Sequence, residues 1–239
     1  MDVKEEEILG DRVNDHWYYV AKGRALRQFI GDIQAEAILD VGAGSGCFSR
    51  QLLDHQHGQR AICVDPNYAE ERAEEHHGKP ISFVRQVEGE ATGLILMMDV
   101  LEHVEDDVAL LKQYAQHLPQ GGHIAITVPA FQFLWSGHDV FLEHYRRYNA
   151  EMIERVVTDA GLELVKTRYF FATLFPLVAL IRVVKNKLLA SRKMEAKSEL
   201  SIAPNWLNRL LIAIHHLESK ALFSINKMAG LTVFCLCKK

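Results

Sequence analysis

An aspartate followed by a glycine-rich turn is the feature of the sequence that points most directly to chemistry. Residues 38–46 read I-L-D-V-G-A-G-S-G, so Asp40 lies near the end of an apolar run and Gly42 opens the turn. Glycines let the backbone turn tightly and come close to a ligand. A helical pattern over residues 48–53 follows, and the N–H groups at a helix start favour polar ligand groups. The stretch therefore predicts a ligand-binding turn between a buried strand and a helix.

A second acid ends the next apolar run. Asp65 closes residues 60–65 and lies 21 positions after Gly44. In nucleotide-binding α/β folds an acid at this offset accepts hydrogen bonds from ribose hydroxyls. The alternative is an aspartate that caps a following helix. Its distance from the glycine turn favours the ribose interpretation.

A third acid, Asp99, ends the apolar run at residues 93–99 and begins the segment D-V-L-E-H-V. The carboxyl ends of parallel strands meet at one edge of a sheet, so this segment is expected beside the glycine turn. Cys47 stands where the dinucleotide pattern G-x-G-x-x-G needs its third glycine, which disfavours an NAD-dependent oxidoreductase.

Together these features resemble those of class I S-adenosylmethionine-dependent methyltransferases of type 11/12. The glycine turn is similar to their motif I, and D-V-L-E-H-V is similar to the motif after strand 4, as in the ubiquinone-pathway O-methyltransferases. The resemblance implies S-adenosylmethionine as cofactor, S-adenosylhomocysteine as product and methyl transfer to an acceptor. Glu102 and His103 are interpreted as residues that brace the turn at D-V-L-E-H-V, with a part in catalysis as the alternative. The cofactor-binding residues that the resemblance implies are Asp40, Gly42, Ala43, Gly44, Asp65, Pro66, Asp99, Val100 and Leu101.

Polar and aromatic residues are concentrated in residues 129–148, in the loop expected after the apolar run at residues 123–129. Such groups at the cofactor edge suit acceptor binding. His138 and His144 are the candidate catalytic bases, because imidazole titrates near working pH, although either could hold the loop by a backbone hydrogen bond. No metal site is predicted, since His138, Asp139 and His144 match no ligand pattern. The candidate acceptor-binding residues are Trp135, Tyr145 and Arg146.

Apolar runs that alternate with helical patterns predict an α/β fold with a doubly wound, mainly parallel seven-stranded sheet. The predicted strands are residues 37–41, 60–65, 81–85, 93–99, 123–129, 162–171 and 231–237. The predicted helices are residues 16–33, 48–53, 70–77, 107–117, 150–160, 173–189 and 206–228. The predicted units are an N-terminal helical lid (1–36), a cofactor-binding core (37–172), an inserted helical pair for the acceptor or an interface (173–230) and the last strand (231–239). The candidate lid residues are Trp17, Tyr18 and Arg24.

Charge is distributed unevenly along the 239 residues. The formal net charge is −4, yet residues 182–239 hold eleven Lys/Arg and three Asp/Glu. The longest uncharged run at the start of the insertion, residues 169–181, is 13 residues long, which is too short to span a bilayer. The two helices could bind an anionic membrane surface, wall a pocket for a lipid-linked acceptor, or pack as a hairpin. The basic cluster of the first helix is Arg182, Lys185, Lys187, Arg192 and Lys193.

The expected function is methyl transfer to a small-molecule or lipid-linked acceptor. A nucleic-acid methyltransferase is disfavoured, because no Asn/Asp-Pro-Pro-aromatic motif follows strand 4. A non-catalytic cofactor-binding regulator is the other alternative. The four cysteines form no C-x-x-C pair and residues 2–7 are too acidic for a secretory leader. We therefore expect a cytoplasmic protein, with peripheral binding at the inner face of the membrane as an option, and leave the oligomeric state open.

Overall fold

A computed structural model describes residues 9–89, 91–188, 196–198 and 202–239. Three parts of the sequence predictions lie outside the described residues. They are residues 1–8 of the N-terminal lid, the end of the predicted helix at Leu189, and Arg192 and Lys193 of the basic cluster.

Eight strands within the described ranges form one mixed sheet. They are β1 (Ala35–Val41), β2 (Gly58–Val64), β3 (Arg72–His76), β4 (Lys79–Val84), β5 (Leu94–Met98), β6 (His123–Pro129), β7 (Glu163–Phe170) and β8 (Thr232–Lys238). Their order across the sheet is β3-β4-β2-β1-β5-β6-β8-β7. The five strands from β4 to β6 are parallel, whereas β3 pairs antiparallel with β4, and β8 with β6 and β7. The predicted mainly parallel, doubly wound α/β class is confirmed.

Helices cover both faces of this sheet. They are α1 (Trp17–Ile30), α2 (Cys47–Asp54), α3 (Asp107–Ala115), α4 (Gly137–Phe141), α5 (Ala150–Asp159), α6 (Phe175–Leu188) and α7 (Asn205–Glu218). Central strand β5 shows how the layers form: Leu94 and Leu96 belong to the core under α1 and α2, and Ile95 to the core under α3 and α5. Because alternate side chains point to opposite faces, a strand covered on both faces must be apolar throughout.

The predicted helix at residues 70–77 is wrong, because this segment forms β3. His77 and Gly78 join β3 to β4 with φ of 50° and 79°, and two positive φ values in a two-residue loop characterise a hairpin turn. Arg72 lies over the Phe83 ring of β4, 3.8 Å from its centroid. The hairpin adds a strand at the sheet edge, so the sheet has eight strands and not the predicted seven.

The two late helices lie between β7 and β8 and dock mainly on separate elements, which contradicts the hairpin alternative. In α6, Arg182 Nη1 donates to Leu134 O (2.7 Å). In α7, Asn208 Oδ1 accepts the N–H of Trp17 at the start of α1 (2.8 Å). The regular helix predicted to reach residue 228 ends at Glu218 and continues as one π-turn, Ser219–Phe223. No described helix combines the length and hydropathy that a membrane span requires.

Candidate active site

The glycine turn after β1 packs directly against the segment after β5. Gly42 has a φ of 63° and donates its N–H to Val64 O at the end of β2 (2.7 Å). A Cβ built on Gly42 would lie 2.9 Å from a methyl carbon of Val100. Only glycine satisfies both the left-handed backbone and this close contact. The structure thus brings two of the predicted cofactor segments together.

Two polar atoms at the end of β1 and in the glycine turn are buried without a partner among the described residues, Asp40 Oδ1 and Ser45 Oγ. The other carboxylate oxygen of Asp40 accepts a hydrogen bond from Ser49 Oγ (2.7 Å). Burial raises the pKa of Asp40 to about 6. Because unpartnered buried polar atoms are uncommon in native structures, this turn fits a ligand that carries polar groups, as the amino acid end of the implied cofactor does.

Asp65 follows β2 and is 4% exposed. Its Oδ1 accepts the N–H of Asn67 (2.9 Å), and Tyr68 donates its hydroxyl to Gly44 O (2.6 Å). Residues 66–71, which include Pro66, form a turn that leads into β3. Since no helix begins there, the helix-cap alternative for Asp65 is wrong. The second carboxylate oxygen of Asp65, Oδ2, makes no hydrogen bond within the described chain. This arrangement suits a ribose hydroxyl.

Asp99 is held in an uncommon backbone conformation, with a φ of 56°. Its Oδ2 accepts hydrogen bonds from Tyr18 Oη (3.1 Å) and from the fully buried Lys22, and its Oδ1 accepts one from Thr127 Oγ1 (3.0 Å). Burial by itself would raise the pKa of Asp99, but the charge of Lys22 and these hydrogen bonds lower it below its usual range. The sequence analysis did not identify Lys22 as a site residue. Its position four residues after the lid candidate Tyr18, on the same face of the helix, could have indicated it.

A cavity of about 340 Å³ opens beside these turns, between α1, the segment after β6 and α6. Asp99, His138 and His144 line it, as do the lid candidates Trp17 and Tyr18. Side chains beyond these candidates complete much of its wall. They include Phe48, Glu102, His103, Arg147, Leu174, Val178 and Arg182.

The predicted acceptor-binding residues Trp135, Tyr145 and Arg146 do not line this cavity, and neither does the lid candidate Arg24. Arg146 Nη1 donates to Asp107 Oδ2 (2.7 Å). The Tyr145 side chain is 56% exposed, and the Trp135 carbonyl accepts from Asn186 of α6 (2.9 Å). The neighbouring Arg147 lines the cavity.

Asp139 links the two parts of the loop that carry His144 and Arg147. This buried carboxylate accepts hydrogen bonds from His144 Nδ1 (2.9 Å) and Arg147 Nε (2.7 Å) on Oδ1, and from Ser136 N (2.8 Å) on Oδ2. Burial by itself would raise the pKa of Asp139, but these partners hold it well below its usual range. His144 is thereby fixed in one orientation, with Nε2 as its remaining ring nitrogen.

Glu102 and His103 also lie on the cavity wall. Glu102 is 0% exposed, and burial together with the charge of Asp99 raises its pKa well above the usual value. The rings of His103 and His144 are perpendicular, with centroids 4.6 Å apart. The sequence interpretation of Glu102 and His103 as braces missed their juxtaposition with His144, which lies some forty residues further along the chain.

Comparison with known proteins identifies the family. A methyltransferase-domain model matches residues 15–167, which is more than half of the chain. No curated protein matches at a significant level.

Solved structures share the fold at low identity. A chain from the complex between the Haloferax volcanii Trm112 methyltransferase activator and a methyltransferase is 16% identical, with a TM-score of 0.55 over 95% of this chain and 91% of that one. A SAM-dependent methyltransferase from Archaeoglobus fulgidus is 17% identical, with a TM-score of 0.53 over 99% and 98%. The [4+2]-cyclase SpnF is 11% identical, with a TM-score of 0.55 over 92% and 80%, so the fold alone does not fix the reaction. The family is therefore assigned from the domain match: the chain belongs to the methyltransferase-domain family and is an S-adenosylmethionine-dependent methyltransferase.

Proposed function

We propose that this enzyme methylates a lipid-linked acceptor that it meets at an anionic membrane surface. The observation that carries the proposal is that α6 both lines the cavity and bears an exposed apolar surface. Leu174, just before α6, and Val178 and Arg182 within it recur every four residues and line the cavity. Other apolar side chains of the helix are between 47% and 76% exposed, namely Leu177, Leu180, Ile181, Val184 and Leu188.

Helix α7 also bears exposed apolar side chains. Trp206, Leu210 and Leu217 are 68%, 48% and 66% exposed at helical spacing. Contiguous apolar patches on a protein surface mark sites of interaction with proteins, ligands or membranes. Because one of these two helices also forms the cavity wall, an acceptor with an apolar tail has a short route from a membrane to the reacting groups.

Charge around this surface favours an anionic membrane. Among the described residues of 173–230 the one acid is Glu218, which is buried and paired with His215 Nδ1 (3.0 Å). The exposed basic side chains on and beside the two helices are Lys185, Lys187, Arg209, Lys220 and Lys227. Basic residues beside an apolar helix face are typical of interfacial helices.

The chain's own residues would position the acceptor and receive its proton. S-adenosylmethionine supplies an activated methyl group when it is bound, so the protein must hold the acceptor in line and exclude water. The proposed holders of the cofactor are the glycine turn, Asp65 and the turn at Asp99. We retain His138 and His144 as the proposed bases for a hydroxyl acceptor, and add Arg182 as the cation that would bind an anionic group of the acceptor.

The first experiment measures flotation of the protein with phosphatidylglycerol vesicles and with phosphatidylcholine vesicles. We expect flotation with the anionic vesicles, and loss of it in the variant Leu180→Glu/Ile181→Glu. The matched control is Val165→Glu on edge strand β7, where the valine is 44% exposed, and it should still float. Wild-type protein that stays in the aqueous phase would remove the membrane part of the proposal.

The second experiment identifies the acceptor class directly. The enzyme is incubated with methyl-labelled S-adenosylmethionine and a cell lysate, which is then separated into lipid, nucleic acid, protein and small-molecule fractions. We expect the label in the lipid fraction. Label found only among water-soluble small molecules would overturn the lipid-linked acceptor while leaving the methyltransferase assignment intact.

A further inference from the structure

Three potential metal ligands converge at the cavity wall from two distant segments. Glu102 and His103 follow β5, and His144 follows α4. One ligand atom from each lies within 4.8 Å of the other two. All three residues line the cavity, so a group bound between them would face the acceptor.

The buried carboxylate of Glu102 needs a partner. Its side chain is 0% exposed, and neither Oε1 nor Oε2 has a hydrogen-bond partner within the described part of the chain. Leaving two buried oxygens of a carboxyl group without hydrogen-bond partners is costly in a protein interior. A cation between Glu102 and the two imidazoles would supply that compensation.

The surroundings of His144 resemble those of a metal ligand. Its Nδ1 donates to Asp139 Oδ1 (2.9 Å), which directs Nε2 away from that carboxylate. Asp139 is in turn fixed by Arg147 Nε (2.7 Å) and Ser136 N (2.8 Å). Metal-binding histidines commonly donate their second ring N–H to a carboxylate, which orients the ring and raises its basicity.

We propose that Glu102, His103 and His144 bind one divalent transition-metal ion such as Zn²⁺, with Asp139 as a positioning residue. Two imidazoles and one carboxylate are a ligand set of catalytic zinc sites, which keep a further position open. Tetrahedral zinc at its usual bond lengths places ligand atoms about 3.3 Å apart. The three side chains would therefore move together by small rotations, and the open position would face the cavity.

The ion would change which groups activate the acceptor and receive its proton in the proposed reaction. A hydroxyl bound to a divalent metal loses its proton more readily, so an ion here would activate an oxygen acceptor and leave His138 as the base. This consequence rests on the proposed function, whereas binding of the metal does not. A direct binding measurement therefore separates failure of the site from failure of the proposed acceptor.

A second cluster provides the control that the test needs. His76 Nε2 and His77 Nδ1 both contact Asp54 Oδ1 at 2.8 Å, on the protein surface, and this group also has metal-ligand spacing. Surface histidines bind transition metals adventitiously. The double variant His76→Ala/His77→Ala removes this competing site, and it serves as the background for every measurement.

The experiment titrates the chelator-treated full-length background variant with Co²⁺ and then displaces the Co²⁺ with Zn²⁺. We expect one Co²⁺ per chain, with the visible absorption of a histidine-ligated ion. Glu102→Gln should weaken binding about tenfold or more, and Asp139→Asn about 10–100-fold. Glu102→Gln is nearly isosteric and removes a carboxyl group whose charged form burial disfavours, so it should fold, and a thermal melt checks this.

Two outcomes would overturn the site. One is a background variant that shows no saturable Co²⁺ binding. The other is a folded Glu102→Gln variant that binds Co²⁺ as tightly as its parent, which would mean an adventitious ion only. Should Asp139→Asn fail to fold, Glu102→Gln alone still decides whether the site binds Co²⁺.

Discussion

Lys22 and Asp99 form a buried ion pair although they lie 77 residues apart in the chain. The pair ties α1 to the turn after β5, with Lys22 fully buried and Asp99 26% exposed toward the cavity. Tyr18 joins it, accepting from Lys22 Nζ (3.0 Å) and donating to Asp99 Oδ2 (3.1 Å). The N-terminal helix is thus connected to the site by charge as well as by packing.

Replacing Lys22 with Met tests this pair. The variant keeps the apolar stem but leaves Asp99 without its cation, and breaking a buried pair costs about 3 kcal/mol at the lower end of the known range. The partial exposure of Asp99 places the expected loss at that end. Urea unfolding at pH 7 measures it. Adding Asp99→Asn removes the orphaned charge, so the double variant should recover most of the loss. Equal unfolding midpoints for Lys22→Met and wild type would show that the pair contributes nothing.

The sequence predicted most of the fold because its central strands are covered on both faces. A strand such as β5 must be apolar throughout, so it is visible as a continuous run. Edge strand β3 has no such constraint: its residues 72–76 are mostly charged, and a short charged segment beside Gly78 reads as a helix end. Residues 72–76 form a strand because they pair with β4, and the local composition of the segment does not show that pairing.

The sequence predicted the site unevenly for a related reason. The glycine turn and Asp65 are recognisable because each motif is local. The partners of Lys22, Asp139 and Glu102 are set by tertiary contacts, which residue spacing does not show. In the loop after β6, Arg147 contacts Asp139 and its neighbour Arg146 contacts Asp107. Two adjacent arginines look alike in the sequence, so only the structure shows which of them faces the cavity.

Replacing Gly42 with Ala should weaken both folding and cofactor binding. A left-handed backbone costs a residue with a Cβ about 1–2 kcal/mol, and the new Cβ would also press on Val100 at 2.9 Å. Gly121→Ala is the matched control, because its φ is 79° and nothing lies within 4 Å of its Cβ position. Thermal melts and calorimetric titration with S-adenosylmethionine measure the two effects. If both variants lose the same stability and neither loses affinity, Gly42 is not part of the cofactor site.

Replacing Asp65 with Asn tests the proposed ribose contact without disturbing the turn. Asparagine keeps an oxygen that can accept the N–H of Asn67, but loses the negative charge. We expect S-adenosylmethionine to bind more weakly by about 1.5–3 kcal/mol, as for hydrogen bonds to charged groups. Glu71→Gln is a control acid in the same turn, whose carboxylate accepts the N–H of Arg85 (3.0 Å). Unchanged affinity in Asp65→Asn would assign Asp65 a purely structural role.

The buried carboxylate of Asp40 should make stability depend on pH. Burial raises its pKa from 3.8 to about 6, so the folded state holds the proton more tightly than the unfolded chain. The contribution of this proton to the free energy of unfolding is about 3 kcal/mol. It is fully present below pH 4 and is lost as the pH rises through 6. Asp40→Asn cannot ionise, and its amide oxygen can still accept from Ser49. Part of this loss has already occurred at pH 4.5, which lies above the unfolded pKa. Urea unfolding without cofactor should therefore show that the advantage of Asp40→Asn over wild type is about 2 kcal/mol larger at pH 7.5 than at pH 4.5. An advantage that does not change with pH would mean that Asp40 ionises in the folded protein as it does in the unfolded chain.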